Sequence, residues 1–316
     1  MHLDLHVHCN TDDRELVRKY VDNCIHNETM AALSGGLNYG GYNYVANEDV
    51  VKICREFSEV LVPMAKMDLW DTPPDPAEAR RYADMGVKGF KFIYPYYEYD
   101  HESYLPLYEE IEKLGLPVLF HTGDYSPHPA DPKYRRPVLK NMMPIHLDCI
   151  ARSFQKLHIV MAHMGTAYFR EMAANMVKTH KNLYFDLAGN GAFLGVNAYQ
   201  LSELMRSPLL PGGGPQAGMR KLVFGSDSYI SLPHIQCQAL NVYQEILFRC
   251  QMSAEDTHNI LGGTAAGWMG IALPNTSKVK NMTTPWDRRQ LDGNLPEAVI
   301  PADPNEFLKK HKKDDK

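Results

Sequence analysis

The sequence predicts an α/β protein, a (β/α)8 TIM barrel with a C-terminal extension. Three observations predict it. Short apolar or β-branched runs alternate eight times with stretches of helical apolar spacing along the 316 residues. Such alternation implies a parallel sheet, and eight units is the number that closes into a barrel. Ionisable side chains recur where those strands end, the rim on which barrels of this kind carry their chemistry. The glycine-rich turn that marks a doubly wound open sheet is missing, since Cys9-Asn10-Thr11-Asp12-Asp13 follows the first strand.

The first strand, 2–8, reads His-Leu-Asp-Leu-His-Val-His. Period-two alternation puts His6 and His8 on one face and Leu3, Leu5 and Val7 on the other, which offers two imidazoles to one metal ion. Taken alone, a His-x-His fits equally well on a surface strand with two solvated histidines. The remaining strands are expected over 30–35, 60–68, 87–94, 117–122, 158–164, 183–187 and 221–227. Helices are expected over 12–26, 47–59, 76–85, 104–114, 145–155, 168–178, 201–205 and 236–250, with Gly86, Gly115 and Pro117 as stop signals. A further helix through Ile260-Leu261 and Ala265–269 closes the barrel. Residues 1–273 then form the catalytic barrel. Residues 274–316, rich in Asn, Pro, Asp and Lys, read as a surface-draped or partly disordered extension.

Composition narrows the function classes. Lys+Arg 33 against Asp+Glu 38 gives a formal charge of -5, and no basic stripe with interleaved aromatics suggests nucleic acid. The basic run 309–313 is followed at once by Asp314 and Asp315, as in a solvated tail. Six scattered cysteines without a Cys-x-x-Cys pair read as reduced thiols. The chain enters its first strand directly after Met1, which leaves no room for a signal peptide. No apolar run approaches a membrane span, so a cytoplasmic protein is expected.

Read in order, the strand ends deliver His6 and His8, then Lys91, then His121, then His163, and finally Asp227. Each has a packing explanation by itself: a single buried histidine is more often a satisfied core residue, and Asp227 could cap the turn at Ser228 and Tyr229. Their recurrence at one rim is harder to explain by packing. Burying several imidazoles with a carboxylate costs several kcal/mol unless something satisfies them, and a divalent cation is the simplest such partner.

This pattern resembles the amidohydrolase superfamily. The wording of several stretches resembles its amidohydrolase-related (type 2) branch, which includes aminocarboxymuconate-semialdehyde decarboxylase and resorcylate decarboxylase. Those stretches are Gly86-Val87-Lys88-Gly89-Phe90-Lys91-Phe92, Ile159-Val160-Met161-Ala162-His163-Met164-Gly165, Asn182-Leu183-Tyr184-Phe185-Asp186, Val223-Phe224-Gly225-Ser226-Asp227 and Ile260-Leu261-Gly262-Gly263-Thr264-Ala265-Ala266. Thr264 departs from the asparagine usual there, at a position read as a helix cap. The resemblance implies that His6, His8, His121 and Asp227 hold a metal, with Asp227 also handling protons and His163 polarising the water or substrate beside it. Such a donor set suits one zinc ion, and manganese or iron would also fit. In binuclear members of the superfamily a carboxylated strand-four lysine bridges two metals. Lys91 occupies that position, but the branch favours one metal, which leaves Lys91 to bind a substrate carboxylate or to pair with an acid such as Asp68.

After strand four, residues 94–104 contain five tyrosines that could wall a pocket for a flat ring, mediate subunit contact, or pack over the barrel. Arg135 and Arg136 are candidate clamps for an acidic substrate. The sequence therefore points to a metal-dependent hydrolase of a lactone, amide or similar small, carboxylate-bearing substrate. A non-oxidative decarboxylase of an aromatic or dienoic acid is the second reading, and a non-catalytic metal-binding barrel the third. A small molecule is the expected partner, with no nucleic acid or membrane, and a homodimer is expected from the prevalence of twofold assemblies.

Overall fold

Strand β1 (His2–His8) lies between β2 (Thr29–Ser34) and β8 (Ser228–Tyr229) in an eight-stranded parallel sheet of order β7-β6-β5-β4-β3-β2-β1-β8. The structure, a computed structural model, describes residues 1–36, 44–69, 74–124, 138–189, 197–206 and 217–273. The other strands are β3 (Leu61–Lys66), β4 (Phe90–Phe92), β5 (Val118–His121), β6 (Ile159–Ala162) and β7 (Leu183–Phe185). Between them run α1 (Arg14–His26), α2 (Asn47–Glu56), α3 (Pro76–Asp84), α4 (Leu105–Leu114), α5 (His146–Ser153), α6 (Thr166–Thr179) and α7 (Ala198–Met205). Helices α8 (His234–Arg249), α9 (Ala254–His258) and α10 (Thr264–Met269) follow the last strand. The predicted (β/α)8 barrel is the observed fold. The extension at 274–316 lies outside the described residues.

Simple alternation fails in β1. From Asp4 to Val7 the strand spends three steps against two on β2, Ala31 to Leu33, so it carries one extra residue. Such a bulge re-aims the side chains beyond it. Leu3 and Leu5 consequently pack with Met30, Ala32, Met64, Leu119 and Val160 inside the barrel, while Val7 packs outside with Val17, Tyr20 and Val50. The expected opposition of Leu3 and Leu5 to the histidines is thus corrected.

The eighth strand is shorter than expected. Its ladder with β1 is confined to Ser228–Tyr229 rather than the expected 221–227. The residues before it still close the barrel by single bonds: Val223 N donates to Phe185 O (2.9 Å), Leu5 N to Phe224 O (3.0 Å) and Asp227 N to His6 O (2.8 Å).

Local chemistry sets the helix starts. Asp13 caps α1 by accepting from Glu15 N and Leu16 N, Asp75 caps α3 ahead of Pro76, and Asn197 starts α7 three residues before the expected 201. Thr264 caps the C-terminal end of the helical turn Asn259–Gly263, its N–H donating to Asn259 O, and is the first residue of α10 rather than its N-cap. Ala265, Ala266 and Met269 of α10 pack beneath Leu3, Leu5 and Val160 and floor the barrel.

Outside the sheet, Phe120 packs against Phe92 at 5.2 Å, Tyr99 at 4.9 Å and Tyr108 at 5.5 Å between ring centroids. Tyr99 and Tyr104 of the tyrosine-rich segment belong to this core, donating to His121 O (2.8 Å) and Leu69 O (2.6 Å). Packing over the barrel is therefore their part. The six cysteines are free thiols, and no helix among the described residues is long and apolar enough to cross a membrane.

Phe120→Ala should lower the unfolding free energy by about 3–5 kcal/mol, read as a lower urea midpoint at unchanged slope. A loss below about 1 kcal/mol would show that the surrounding rings do not define this core. Asp22, buried on α1 with Oδ2 lacking a hydrogen-bond partner among the described residues, has its carboxyl pushed up from 3.8 to about 6 by burial, partly offset by Arg18. The folded state holds this proton to higher pH than the unfolded chain, so its contribution to stability falls as pH rises from about 4 to about 6. Asp22→Asn should remove that part of the slope and make the chain more stable than wild type at pH 7. Identical pH-stability curves would contradict this.

Candidate metal centre

At the barrel mouth the interior side chains of β1, β4 and the β8 entry converge. His6 Nε2 lies 3.2 Å and His8 Nε2 2.9 Å from Asp227 Oδ1. Among the described residues these three form the cluster whose donor atoms lie within 4.8 Å of one another. His121 joins them through His163, whose Nε2 stands 3.0 Å from His121 Nδ1. The sequence-predicted residues His6, His8, Lys91, His121, His163 and Asp227 thus meet at one rim. Arg135 and Arg136 lie outside the described residues.

Asp186, at the end of β7, fixes the imidazoles. Its Oδ2 accepts from His6 Nδ1 at 2.9 Å, and its Oδ1 accepts from the backbone N–H groups of His163 (2.7 Å) and Ala188 (3.0 Å). With Nδ1 committed to Asp186, His6 turns its Nε2 into the site, the outer support typical of metal-binding histidines. The close approach requires glycine at 225: a Cβ there would lie 2.8 Å from Asp186 Oδ2 and 2.9 Å from His6 Cβ. Gly189 does the same for Asp227, where a Cβ would lie 3.1 Å from Oδ2.

A second chain of bonds sets the other pair. His163 Nδ1 donates to Ala188 O at 2.8 Å. Neutral His163 then accepts at Nε2 from His121 Nδ1–H, which leaves Nε2 of His121 as the lone-pair nitrogen. Burial, reinforced for His121 by His163 and Lys91, holds both imidazoles below their ordinary values and so favours these neutral forms. Backbone strain is concentrated here. His163, Met164 and Thr166 have φ of 62°, 46° and 55°, and Asp227 has 61°, conformations sustained only by the surrounding structure.

Lys91, fully buried, sits within the histidine pair: Nζ contacts His6 Nε2 closely and lies 3.1 Å from His8 Nε2. Burial lowers its ammonium to about 8 despite Asp227 and Asp186. Asp68, named above as an alternative partner, is exposed. Burial would raise the Asp227 carboxyl, but His6 and the bonds from His6 and His8 hold it well below the usual range. On His6, burial and Lys91 are outweighed by Asp186 and Asp227, and the imidazole lies above its ordinary value.

These residues fit a divalent cation. Two imidazole nitrogens and a carboxylate oxygen are turned on one point, donor types that suit such a cation. His8 Nδ1 is buried without a hydrogen-bond partner among the described residues. Tyr229 stacks on His8 at 4.9 Å and 21°, and Tyr44 lies 5.4 Å away, so packing holds that ring.

Sequence reading did not single out Asp186 or Lys66 as site residues. Asp186 had a signal, a carboxylate directly after the apolar run of β7. Lys66 had only its place at the end of β3.

The amidohydrolase family model matches residues 39–271. Similar solved structures include a TIM-barrel protein of Bordetella bronchiseptica, with TM-score 0.59 and 14% identity over 85% of this chain and 99% of that one. The 5-carboxyvanillate decarboxylase of Sphingomonas paucimobilis has TM-score 0.57 and 14% identity over 86% and 99%. A probable 2-pyrone-4,6-dicarboxylic acid hydrolase of Acinetobacter baumannii has TM-score 0.53 and 12% identity over 85% and 99%. At these identities the likeness is one of fold. No curated protein matches the chain.

Asp186→Asn removes the acceptor that orients His6, and should weaken zinc binding about 10–100-fold in calorimetric titration of the chelator-stripped chain. Unchanged affinity would mean that His6 needs no such support.

Proposed function

The chain belongs to the amidohydrolase family, and from that premise we propose that it is a metal-dependent hydrolase acting on a lactone, amide or similar carbonyl of a small, carboxylate-bearing substrate. The convergence of His6, His8 and Asp227 within 4.8 Å carries this reading. These three, with His121 across the mouth, are the residues that would hold one divalent cation. Bound there, such a cation supplies Lewis-acid activation of water and of the carbonyl.

The protein's own groups supply the rest. Asp227 is 24% exposed, the most open of the cluster, and its Oδ1 is held between the two imidazoles. It takes the proton of the attacking water and returns it to the leaving group, a role that needs a carboxylate ionised at neutral pH. Both ring nitrogens of His163 are engaged, by Ala188 O and by His121. We therefore assign His163 to positioning His121 rather than to polarising the substrate.

A specific observation favours decarboxylation as the second reading: the flat faces of Tyr229 and Tyr44 flank His8, and such walls suit an aromatic acid. There the carbon–carboxylate bond breaks, carbon dioxide leaves, the electron pair stays on the ring carbon, and Asp227 relays a proton from solvent water to that carbon.

Zinc-reconstituted protein should bind about one equivalent per chain and lose activity to chelators. A panel of lactones and amides, set beside carboxylated aromatics assayed for carbon dioxide release, separates the two chemistries. Asp227→Asn should lower turnover about 10²–10⁴-fold with the fold intact by circular dichroism. Wild-type turnover in that variant would remove Asp227 from the mechanism, and inactivity of the zinc-loaded chain on the whole panel would favour the non-catalytic barrel.

A further inference from the structure

Two lysines stand side by side inside this barrel, and among the described residues only one of them has a hydrogen-bond partner. Lys66, the last residue of β3, is the register partner of Lys91 on β4, so the two side chains leave neighbouring strands about 4.8 Å apart on the same interior face. Directly opposed like charges are unfavourable on a sheet. Lys91 meets His6 and His8. Lys66 Nζ is buried, with no hydrogen-bond partner among the described residues.

The surroundings of Lys66 are constructed to hold it there. Asn47 clamps its backbone from both sides, donating from Nδ2 to Lys66 O at 2.8 Å and accepting at Oδ1 from Lys66 N at 3.0 Å. The Tyr44 ring lies under the ammonium, 3.3 Å from Nζ to the centroid, and that same ring lies 5.4 Å from His8. A cation–π contact offsets part of the cost of burying an ammonium. It does not replace the three hydrogen bonds an ammonium can donate. Without such partners burial disfavours the charged form, and it pushes the Lys66 ammonium well below its ordinary value. Evolution of a purely structural barrel interior has no use for that cost, since an apolar side chain would fill the position without it.

We propose that Lys66 is an anion anchor, binding a carboxylate group of the ligand beside His8 and Asp227. The charge balance of the mouth agrees. Asp227 and Asp68 face Lys66, and Asp227, Asp186 and Asp4 face Lys91; a divalent cation on His6, His8 and Asp227 would engage Asp227 and leave Lys66 to an acidic ligand. The carboxylate would accept from Lys66 Nζ and stack its attached group along Tyr44. This inference rests on the barrel mouth being the ligand site, but not on which reaction occurs there.

The test uses the full-length chain, both zinc-loaded and chelator-stripped, with acetate and benzoate as probes and benzamide as the neutral control. Binding is read by calorimetry and by the rise in melting temperature. Wild type should bind the two anions in both forms and prefer benzoate to benzamide. Lys66→Met should weaken anion binding at least tenfold, leave benzamide unaffected and keep the zinc stoichiometry. Lys66→Arg should recover part of the anion affinity. Because it removes a buried amine without a hydrogen-bond partner among the described residues, Lys66→Met should also melt at a higher temperature than wild type. Equal anion binding by wild type and Lys66→Met, failure of wild type to bind either anion, or a lower melting temperature in Lys66→Met would each overturn the proposal. Loss of zinc binding in wild type would instead count against the metal-dependent reading, while the stripped-chain comparison still decides the role of Lys66.

Discussion

A strand of strict period two cannot place Leu3, Leu5, His6 and His8 all inside one barrel, yet the site depends on that arrangement. The extra residue between Asp4 and Val7 of β1 resolves the conflict. Below it the strand contributes leucines to the floor, where α10 packs; above it the strand contributes imidazoles to the mouth. The irregular backbone must still be satisfied. Asp4, pushed outward, accepts from Ser226 N, Ser226 Oγ, Gln236 Nε2 and its own neighbour His6 N. These contacts tie the bulge to the start of β8 and to α8, so the strand that carries the histidines and the segment that carries Asp227 are held as one unit.

Electrostatics then shapes the chemistry of the mouth. Each imidazole has its outward nitrogen committed or its ring trapped: His6 by Asp186, His163 by Ala188 O, His121 by His163, and His8 between Tyr229 and Tyr44. Such groups cost free energy to bury, and the positive-φ backbone at His163, Met164, Thr166 and Asp227 adds strain. Stability comes from elsewhere, chiefly the aromatic and aliphatic layer between the sheet and helices α3 to α6. A rigid outer layer permits an inner face assembled from groups that a freely folding core would exclude.

Positive side chains are concentrated in that mouth. Lys91 lies among the imidazoles, where Asp227 and Asp186 offset part of the cost of its burial, and Lys66 lies next to it with an aromatic face as its main support.

Much of the fold was legible in the sequence because burial on both faces of a parallel sheet leaves continuous apolar strands, and caps such as Asp13 and Asp75 mark where helices begin. The rim residues were legible too, since His6, His8, His121 and His163 fall at the ends of β1, β5 and β6, and Asp227 directly precedes β8. What the linear pattern could not show was the bulge in β1, which depends on how that strand meets β2, or the short ladder of β8. Nor could it show that Asp186 would reach His6 across 180 positions of chain, through a gap that only glycine at 225 leaves open. Local residue preferences determine which elements form and which side chains reach the rim. Register, close approach and the pairing of buried charge are properties of distances between remote segments, and those exist only once the barrel has closed.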